Sequence, residues 1–181
     1  MAIIQDASSG VTASVDADNR LRVFSISQAE DKHTNEEGYY NSLYFQVTPA
    51  AANDKFLYIK NTGVFDLTIT DIRISSTVPT SILLDKVTGT PVFVTGTDVD
   101  ITNKNLGSSK VPAVSAVYDT DITGIVDEGV LLYQECPVAN TLYHFKSTSN
   151  IIIPQGQAIA LQRVAATGAI TCLVSLSRAI G

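Results

Sequence analysis

The segment Leu43-Tyr44-Phe45-Gln46-Val47-Thr48 decides the fold class of this chain. Apolar and polar residues alternate along it, which places Leu43, Phe45 and Val47 on one face of an extended strand. Pro49 follows and has no N–H for a ladder of hydrogen bonds, so the strand ends there. The pattern predicts a half-buried β-strand, with one face in a core and the other toward solvent.

Short strand patterns recur along the rest of the chain, separated by Gly, Pro and Asn. No stretch of ten or more residues has the 3.6-residue apolar period and the cap of a helix. The further predicted strands are 56–60, 67–74, 82–87, 91–95, 99–102, 111–118, 130–135, 141–145, 151–153, 158–161 and 170–176. This spacing predicts an all-β protein, an antiparallel β-sandwich that is jelly-roll-like, with a barrel as the alternative.

The predicted strand 67–74 contains a change of phase. Leu67 and Ile69 have one parity, whereas Ile72 and Ile74 have the other. An extra residue near Thr70-Asp71 would return all four apolar side chains to one face, which predicts a β-bulge.

A tight connection is expected between the predicted strands 82–87 and 91–95. Thr88-Gly89-Thr90 joins them and offers Gly for a left-handed backbone conformation. The pattern predicts a hairpin with a three-residue link.

The first 38 residues differ from the rest of the chain. Two short β-type segments flank the Asp- and Asn-rich turn 16–20, and the charged strip 30–37 separates them from the alternating pattern that begins at Tyr39. We expect an N-terminal attachment arm over 1–38 and a β-sandwich domain over 39–181. The arm would add a strand to a partner's exposed sheet edge. Its expected interface residues are Val15, Leu21 and Val23.

Composition limits the classes of partner. The chain has 18 acidic and 12 basic residues and a net charge of −6, and its basic residues are scattered, so we expect no nucleic-acid partner. No apolar run approaches the roughly 20 residues of a membrane helix, so no membrane partner is expected. Residues 1–6 lack the pattern of a secretion signal, which predicts synthesis in a cytoplasm. Charged residues make up only 17% of the chain, so much of its surface must be uncharged and easily covered by a partner.

Candidate catalytic residues are few. The chain has two histidines, His33 in the charged strip and His144 within a predicted strand, and no serine lies in a nucleophile motif. Glycine-rich phosphate-binding motifs are also absent from the sequence. We therefore expect no enzymatic activity and no cofactor.

Two further groups of residues invite a chemical interpretation. Asp119-Thr120-Asp121-Ile122-Thr123-Gly124 resembles the opening of a calcium loop, but Val130 occupies the position that requires Glu, so we expect its Asp residues to stabilise turns. Cys136 and Cys172 lie in apolar strand patterns, where a thiol behaves as a small hydrophobic group. Their redox state is open, although a cytoplasm disfavours a disulfide.

Two stretches resemble known virion proteins. Val15-Asp16-Ala17-Asp18-Asn19-Arg20-Leu21-Arg22-Val23, with the strip 30–33 behind it, resembles the start of virion structural proteins of tailed bacteriophages. Ile151-Ile152-Ile153-Pro154-Gln155-Gly156-Gln157-Ala158-Ile159-Ala160-Leu161 is similar to the closing hairpin of β-sandwich virion proteins. The resemblance covers the N-terminal quarter and the last thirty residues. It implies a capsid decoration (cement) protein on the capsid surface, a homotrimer that bridges subunits of the major capsid protein from outside.

A second function stays open at this stage. The chain has seven Tyr residues, whose rings could stack on sugars, so the alternative is a receptor- or carbohydrate-binding module of a phage fibre or tail. Tyr and Asp clustered at one end of the domain would favour this alternative. An apolar flank and an extended N-terminus would favour the capsid protein.

Overall fold

The computed structural model describes residues 3–5, 12–15, 21–24, 39–145, 150–165 and 167–178. The chain divides into two units, Met1–His33 and Thr34–Gly181. The boundary predicted after residue 38 stays a prediction, because residues 34–38 lie outside the described ranges.

The N-terminal unit contains a three-stranded antiparallel sheet. Its strands are β1 (Ile3–Gln5), β2 (Thr12–Val15) and β3 (Leu21–Phe24), in the order β1-β2-β3. The two β-type segments predicted on either side of the turn 16–20 are confirmed as β2 and β3, which pair with each other.

The C-terminal unit is an antiparallel β-sandwich, and none of its described residues is helical. The first sheet has the order β11-β7-β14-β5-β10-β8 and the second has the order β12-β6-β15-β4-β9, with β13 also paired to β6. The all-β sandwich is therefore confirmed, and the finer assignment as a jelly roll stays a prediction. The strands are β4 (Tyr40–Val47), β5 (Lys55–Asn61), β6 (Leu67–Ser76), β7 (Thr80–Phe93), β8 (Thr97–Asp98), β9 (Ile101–Asn103), β10 (Val114–Tyr118), β11 (Ile122–Cys136), β12 (Leu142–His144), β13 (Ile151–Ile153), β14 (Ala158–Arg163) and β15 (Ile170–Arg178).

The main core lies between the two sheets, where the alternating residues of each strand meet. Phe45 on β4 shows the packing: its ring stacks on Tyr118 with centroids 5.3 Å apart and tilts against Phe56 at 6.4 Å. The alternation predicted for 43–48 is confirmed, since Leu43, Phe45 and Val47 are buried while Tyr44 is exposed. Burial of each large apolar side chain stabilises the fold by roughly 1.5–3 kcal/mol before entropy is counted.

The β-bulge predicted in β6 is confirmed. Asp71 pairs with Ser175 and Ile69 pairs with Leu176, so Thr70 is the extra residue. As a result Leu67, Ile69, Ile72 and Ile74 are all buried in the core despite their change of parity.

The hairpin predicted at 88–90 is wrong. β7 continues through this segment and pairs with β11 from Thr80 opposite Cys136 to Phe93 opposite Ile122. Gly89 does have a positive φ of 99°, but it lies in an irregularity beside Gly124, whose φ is 72°. The local sequence shows the glycine, which is typical of a turn. It does not show that β11, distant in the chain, pairs with β7 across this position.

Two other strand predictions need correction. The strand predicted at 99–102 is two short strands, because Val99 and Asp100 separate β8 in the first sheet from β9 in the second. The strand predicted at 130–135 is only the end of β11, which begins at Ile122. The first half of β11 shows no clear apolar alternation in sequence, because it contains Gly124, Gly129 and the acidic pair 127–128.

The ends of β7 and β11 form a two-stranded ribbon over the outer face of the first sheet. β14 pairs with β7 only between Ile82 and Val87, so the ribbon beyond Val87 has no other neighbour in that sheet. Phe93 on the ribbon meets the Tyr58 ring edge-on, with centroids 6.5 Å apart. A second apolar cluster thus forms outside the sheet from Tyr58, Val87, Ile122, Ala158 and Ala160, with Phe93 and Ile125 packed against it.

We expect Gly124→Ala to destabilise the ribbon. A Cβ at Gly124 would lie 2.5 Å from the Thr90 carbonyl oxygen, and the φ of 72° is itself unfavourable for alanine. Backbone strain contributes about 1–2 kcal/mol and the clash adds to it, so the loss should exceed 2 kcal/mol in urea denaturation. Gly156→Ala is the matched control, because Gly156 has a similar φ of 77° but open space around it. Equal losses in the two variants would contradict the proposed clash.

Candidate functional site

The sandwich offers little sheet edge to a partner strand. β8 has two residues, and β9, β12 and β13 have three each. β11 is a long edge strand, but its register with β7 shifts between Thr123 and Ile125, between Asp127 and Gly129, and between Val130 and Leu132. Short and bulged edges oppose strand addition, so the faces of this unit are its better surfaces for contact.

The outer face of the second sheet carries the exposed Tyr44, and we call it the Tyr44 face. The register of the strands places its residues in three cross-strand rows. Tyr44 is 62% exposed and Leu142 is 55% exposed, so the face presents apolar area to solvent. The rows are Gln46, Thr171, Ser75 and Leu142; Tyr44, Leu173, Arg73 and His144; and Ser42, Ser175 and Asp71.

The Tyr44 face carries the charged side chains of Asp71 and Arg73, and at its edge the Lys104 Nζ donates a hydrogen bond to the buried Ser175 Oγ at 3.0 Å. The Arg73 Nε donates a hydrogen bond to the Asp71 Oδ2 at 2.6 Å. The His144 Nδ1 lies 3.8 Å from the Asp71 Oδ1. Such a face loses little solvation when a partner covers it, because most of its other side chains are uncharged.

His144 therefore has a structural setting on this face. Its side chain is 42% exposed and its charged neighbours are Asp71 and Arg73. The expectation that the protein has no enzymatic activity stays a prediction.

The residues predicted for the arm interface lie in two paired strands. The register places Val15 opposite Leu21, and Val23 opposite Ala13. The structure thus brings Val15, Leu21 and Val23 together within the N-terminal sheet. Their contact with a partner stays a prediction.

Asp119 stabilises a turn, as the sequence predicted. Its buried carboxylate accepts hydrogen bonds from the backbone N–H groups of Val94, Thr95, Gly96 and Thr120. Burial alone would raise the pKa of Asp119, but the hydrogen bonds from Thr95, Thr120 and Gly96 outweigh it and hold the pKa below its ordinary value.

The proposed resemblance of 119–124 to a calcium loop does not extend to the structure. Ile122 and the residues after it belong to β11, so the segment is not a loop. Burial raises the pKa of Asp121, and the neighbouring Asp54 and Asp119 raise it further. Within the described ranges, no group of three or more His, Cys, Asp or Glu side chains is arranged to hold a metal ion.

Sequence reasoning missed Asp85, a buried carboxylate under the ribbon. Asp85 is 1% exposed, and its Oδ2 has no hydrogen-bond partner among the described residues. Burial raises its pKa to about 6, with a further rise from Asp127 and an opposing effect of Lys55. The Lys55 Nζ instead donates to the Asp127 Oδ2 at 3.1 Å. Asp85 and Val87 lie on the same face of β7, but nothing in the neighbouring sequence indicates that a ribbon covers that face.

Both cysteines are buried free thiols. Burial raises the pKa of Cys136 to about 11 and raises that of Cys172 still further. The thiol form therefore dominates, and the two residues act as core side chains, as their apolar strand patterns indicated.

The tyrosines are distributed over the sandwich. Tyr58 is buried under the ribbon, Tyr118 stacks on Phe45, and Tyr133 is exposed on β11. Tyr44 belongs to a different sheet. This distribution does not favour a sugar-binding platform, which needs aromatic rings close together.

Comparisons with known proteins give no identification. No protein-family model, no curated protein and no solved structure matches the chain at a significant level. In the described ranges, no helix has the length and apolar character to cross a membrane.

We expect Asp119→Ala to destabilise the sandwich by at least about 3 kcal/mol, because several backbone N–H groups lose their acceptor. Asp121→Ala is the matched control on the other side of Thr120 and should have little effect. Urea denaturation at pH 7 measures both. Because the folded pKa of Asp119 is lowered, its charge-dependent contribution should be present above about pH 4 and fall progressively as pH drops below that value. Equal losses in the two variants would instead indicate a shared role, such as a cation site.

We expect Asp85→Asn to stabilise the protein at pH 7.5. A folded pKa of about 6 against an ordinary 3.8 means that the wild type loses roughly 3 kcal/mol as pH rises from about 4 to 6. The neutral amide removes that loss, so the variant's advantage should be present at pH 7.5 and absent at pH 4. Asp66→Asn, on an exposed residue, is the control. A variant less stable than the wild type at both pH values would contradict the expectation.

Proposed function

We propose that this chain is a non-enzymatic structural protein of a tailed-bacteriophage virion, which decorates and stabilises the capsid exterior by bridging major capsid subunits. The N-terminal sheet carries this proposal. Its described strands have only three, four and four residues, which leaves little area for a core. Such a sheet gains stability by packing against a partner, which is the behaviour of an attachment arm.

The Tyr44 face supports the same function. Its exposed apolar side chains lie among Ser, Thr and Gln, and Arg73 is paired with Asp71. A homotrimer on a repeating shell would offer three such faces and three arms at once. Several modest contacts then combine into firm attachment without any one of them being strong.

The strand order supports the jelly-roll assignment within this proposal. The consecutive strands β4, β5, β6 and β7 alternate between the two sheets, and β14 and β15 return to lie inside the two sheets. Jelly rolls occur in viral capsid proteins and also in lectins. The architecture is therefore compatible with the proposal and with the carbohydrate-binding alternative, and only location can separate them.

The decisive experiment counts copies of the protein in separated heads and tails of the virion by quantitative mass spectrometry. We expect many copies on heads. A chain lacking residues 1–37 should keep its denaturation midpoint but lose about a thousandfold in affinity for shells, since about 4 kcal/mol of strand pairing and apolar burial disappears. Leu173→Asp on the Tyr44 face should also weaken attachment, whereas Val126→Asp on the ribbon should not.

Light scattering coupled to size exclusion tests self-association, and we expect a trimer. A monomer at tens of micromolar would contradict the trimer. A truncated chain that binds shells like the full chain, or one that fails to fold, would contradict the attachment arm. Few copies, confined to tails, would favour the receptor-binding alternative.

A further inference from the structure

A cavity of about 260 Å³ lies at the end of the sandwich where β4 begins and β15 ends. Its floor contains the buried Leu67 and Asn61, and its rim contains the exposed Val64, Phe65 and Val111. The volume is slightly below the roughly 300 Å³ at which sites for drug-sized ligands begin, so a fitting ligand is small.

The guanidinium of Arg178 is held in this cavity by aromatic rings. Its Cζ lies 3.2 Å from the centroid of the Phe65 ring and 4.7 Å from that of Tyr39. The Lys110 Nζ lies 4.2 Å from the centroid of the same Tyr39 ring. A guanidinium in contact with aromatic rings still has five N–H donors, and their fork geometry suits a carboxylate.

The polar groups around Arg178 leave the cavity with a cationic character. The Asn61 side chain is already satisfied, since its Nδ2 donates to the Phe65 and Ile153 carbonyl oxygens and its Oδ1 accepts from the Gly63 N–H. Within the described ranges, no carboxylate forms an ion pair with Arg178. This is notable in a chain of net charge −6, where acidic partners are abundant.

We propose that this cavity binds a small organic monocarboxylate, with its carboxylate on Arg178 and its apolar body against Leu67, Val64 and Val111. The two N–H groups along one edge of the guanidinium match the two carboxylate oxygens. The aliphatic side chains match a short hydrocarbon chain. The site uses none of the residues of the Tyr44 face, so it goes beyond the proposed function.

Titration of the full chain with hexanoate, followed by amide NMR, tests the proposal. We expect saturable shifts at the lining residues, with binding at least tenfold weaker for 1-hexanol, which lacks the charge, and for inorganic phosphate, which lacks the apolar body. Arg178→Gln should weaken hexanoate binding at least tenfold. Arg73→Gln, an exposed arginine of the Tyr44 face, is the matched control and should leave binding unchanged.

A second variant makes the test independent of Arg178. Ala113→Phe places a ring in the cavity from an exposed rim position without changing charge, and it should also abolish hexanoate binding. The absence of saturable shifts, unchanged binding in either cavity variant, or equal binding of phosphate would overturn the proposal. A dimer that hexanoate dissociates would also overturn it, because the occupant would then be a second copy of the chain.

Discussion

The pairing of β7 with β11 determines which surfaces of the sandwich are available. These strands pair from Thr80 opposite Cys136 to Phe93 opposite Ile122, well beyond the reach of β14. The part of this ribbon beyond Val87 folds over the first sheet because its apolar side chains, Phe93 among them, gain burial against Tyr58. One outer face is thus covered by the chain itself. Among the described residues of the C-terminal unit, no comparable ribbon covers the Tyr44 face.

Local alternation predicted much of the second sheet and little of this ribbon. β4 could be predicted because Leu43, Phe45 and Val47 alternate with polar residues and lie on one buried face. The bulge at Thr70 could be predicted because the parity of the isoleucines changes there. Each of these two patterns is contained within a few consecutive residues. The continuation of β7 through Gly89 depends on a partner more than thirty positions away, and a glycine between two strand patterns reads locally as a turn. For the Tyr44 face, the sequence predicted only a low density of charge. Which residues lie together on it depends on the register between strands, which the sequence does not show.

Two aspartates show how the same side chain acquires opposite roles from its surroundings. Asp119 and Asp85 are both almost fully buried. Asp119 is surrounded by backbone N–H groups, so its charged form is stabilised despite the burial. Asp85 lies beneath the ribbon near Asp127 with one oxygen unpaired, so its neutral form is favoured. Neither difference is visible in sequence, because three of the four backbone donors for Asp119 and the cover for Asp85 come from segments distant in the chain.

The division into two units gives the proposed attachment a physical logic. The sandwich buries its own core, so it does not need a partner in order to fold. In the proposed function, the three short strands of the N-terminal sheet would instead gain stability from association. On a repeating shell, this coupling would favour correct placement, because the strands would gain their added stability where a partner surface is present. The nearly neutral Tyr44 face then adds area with little desolvation penalty, and the many symmetry-related contacts compensate for the modest strength of each.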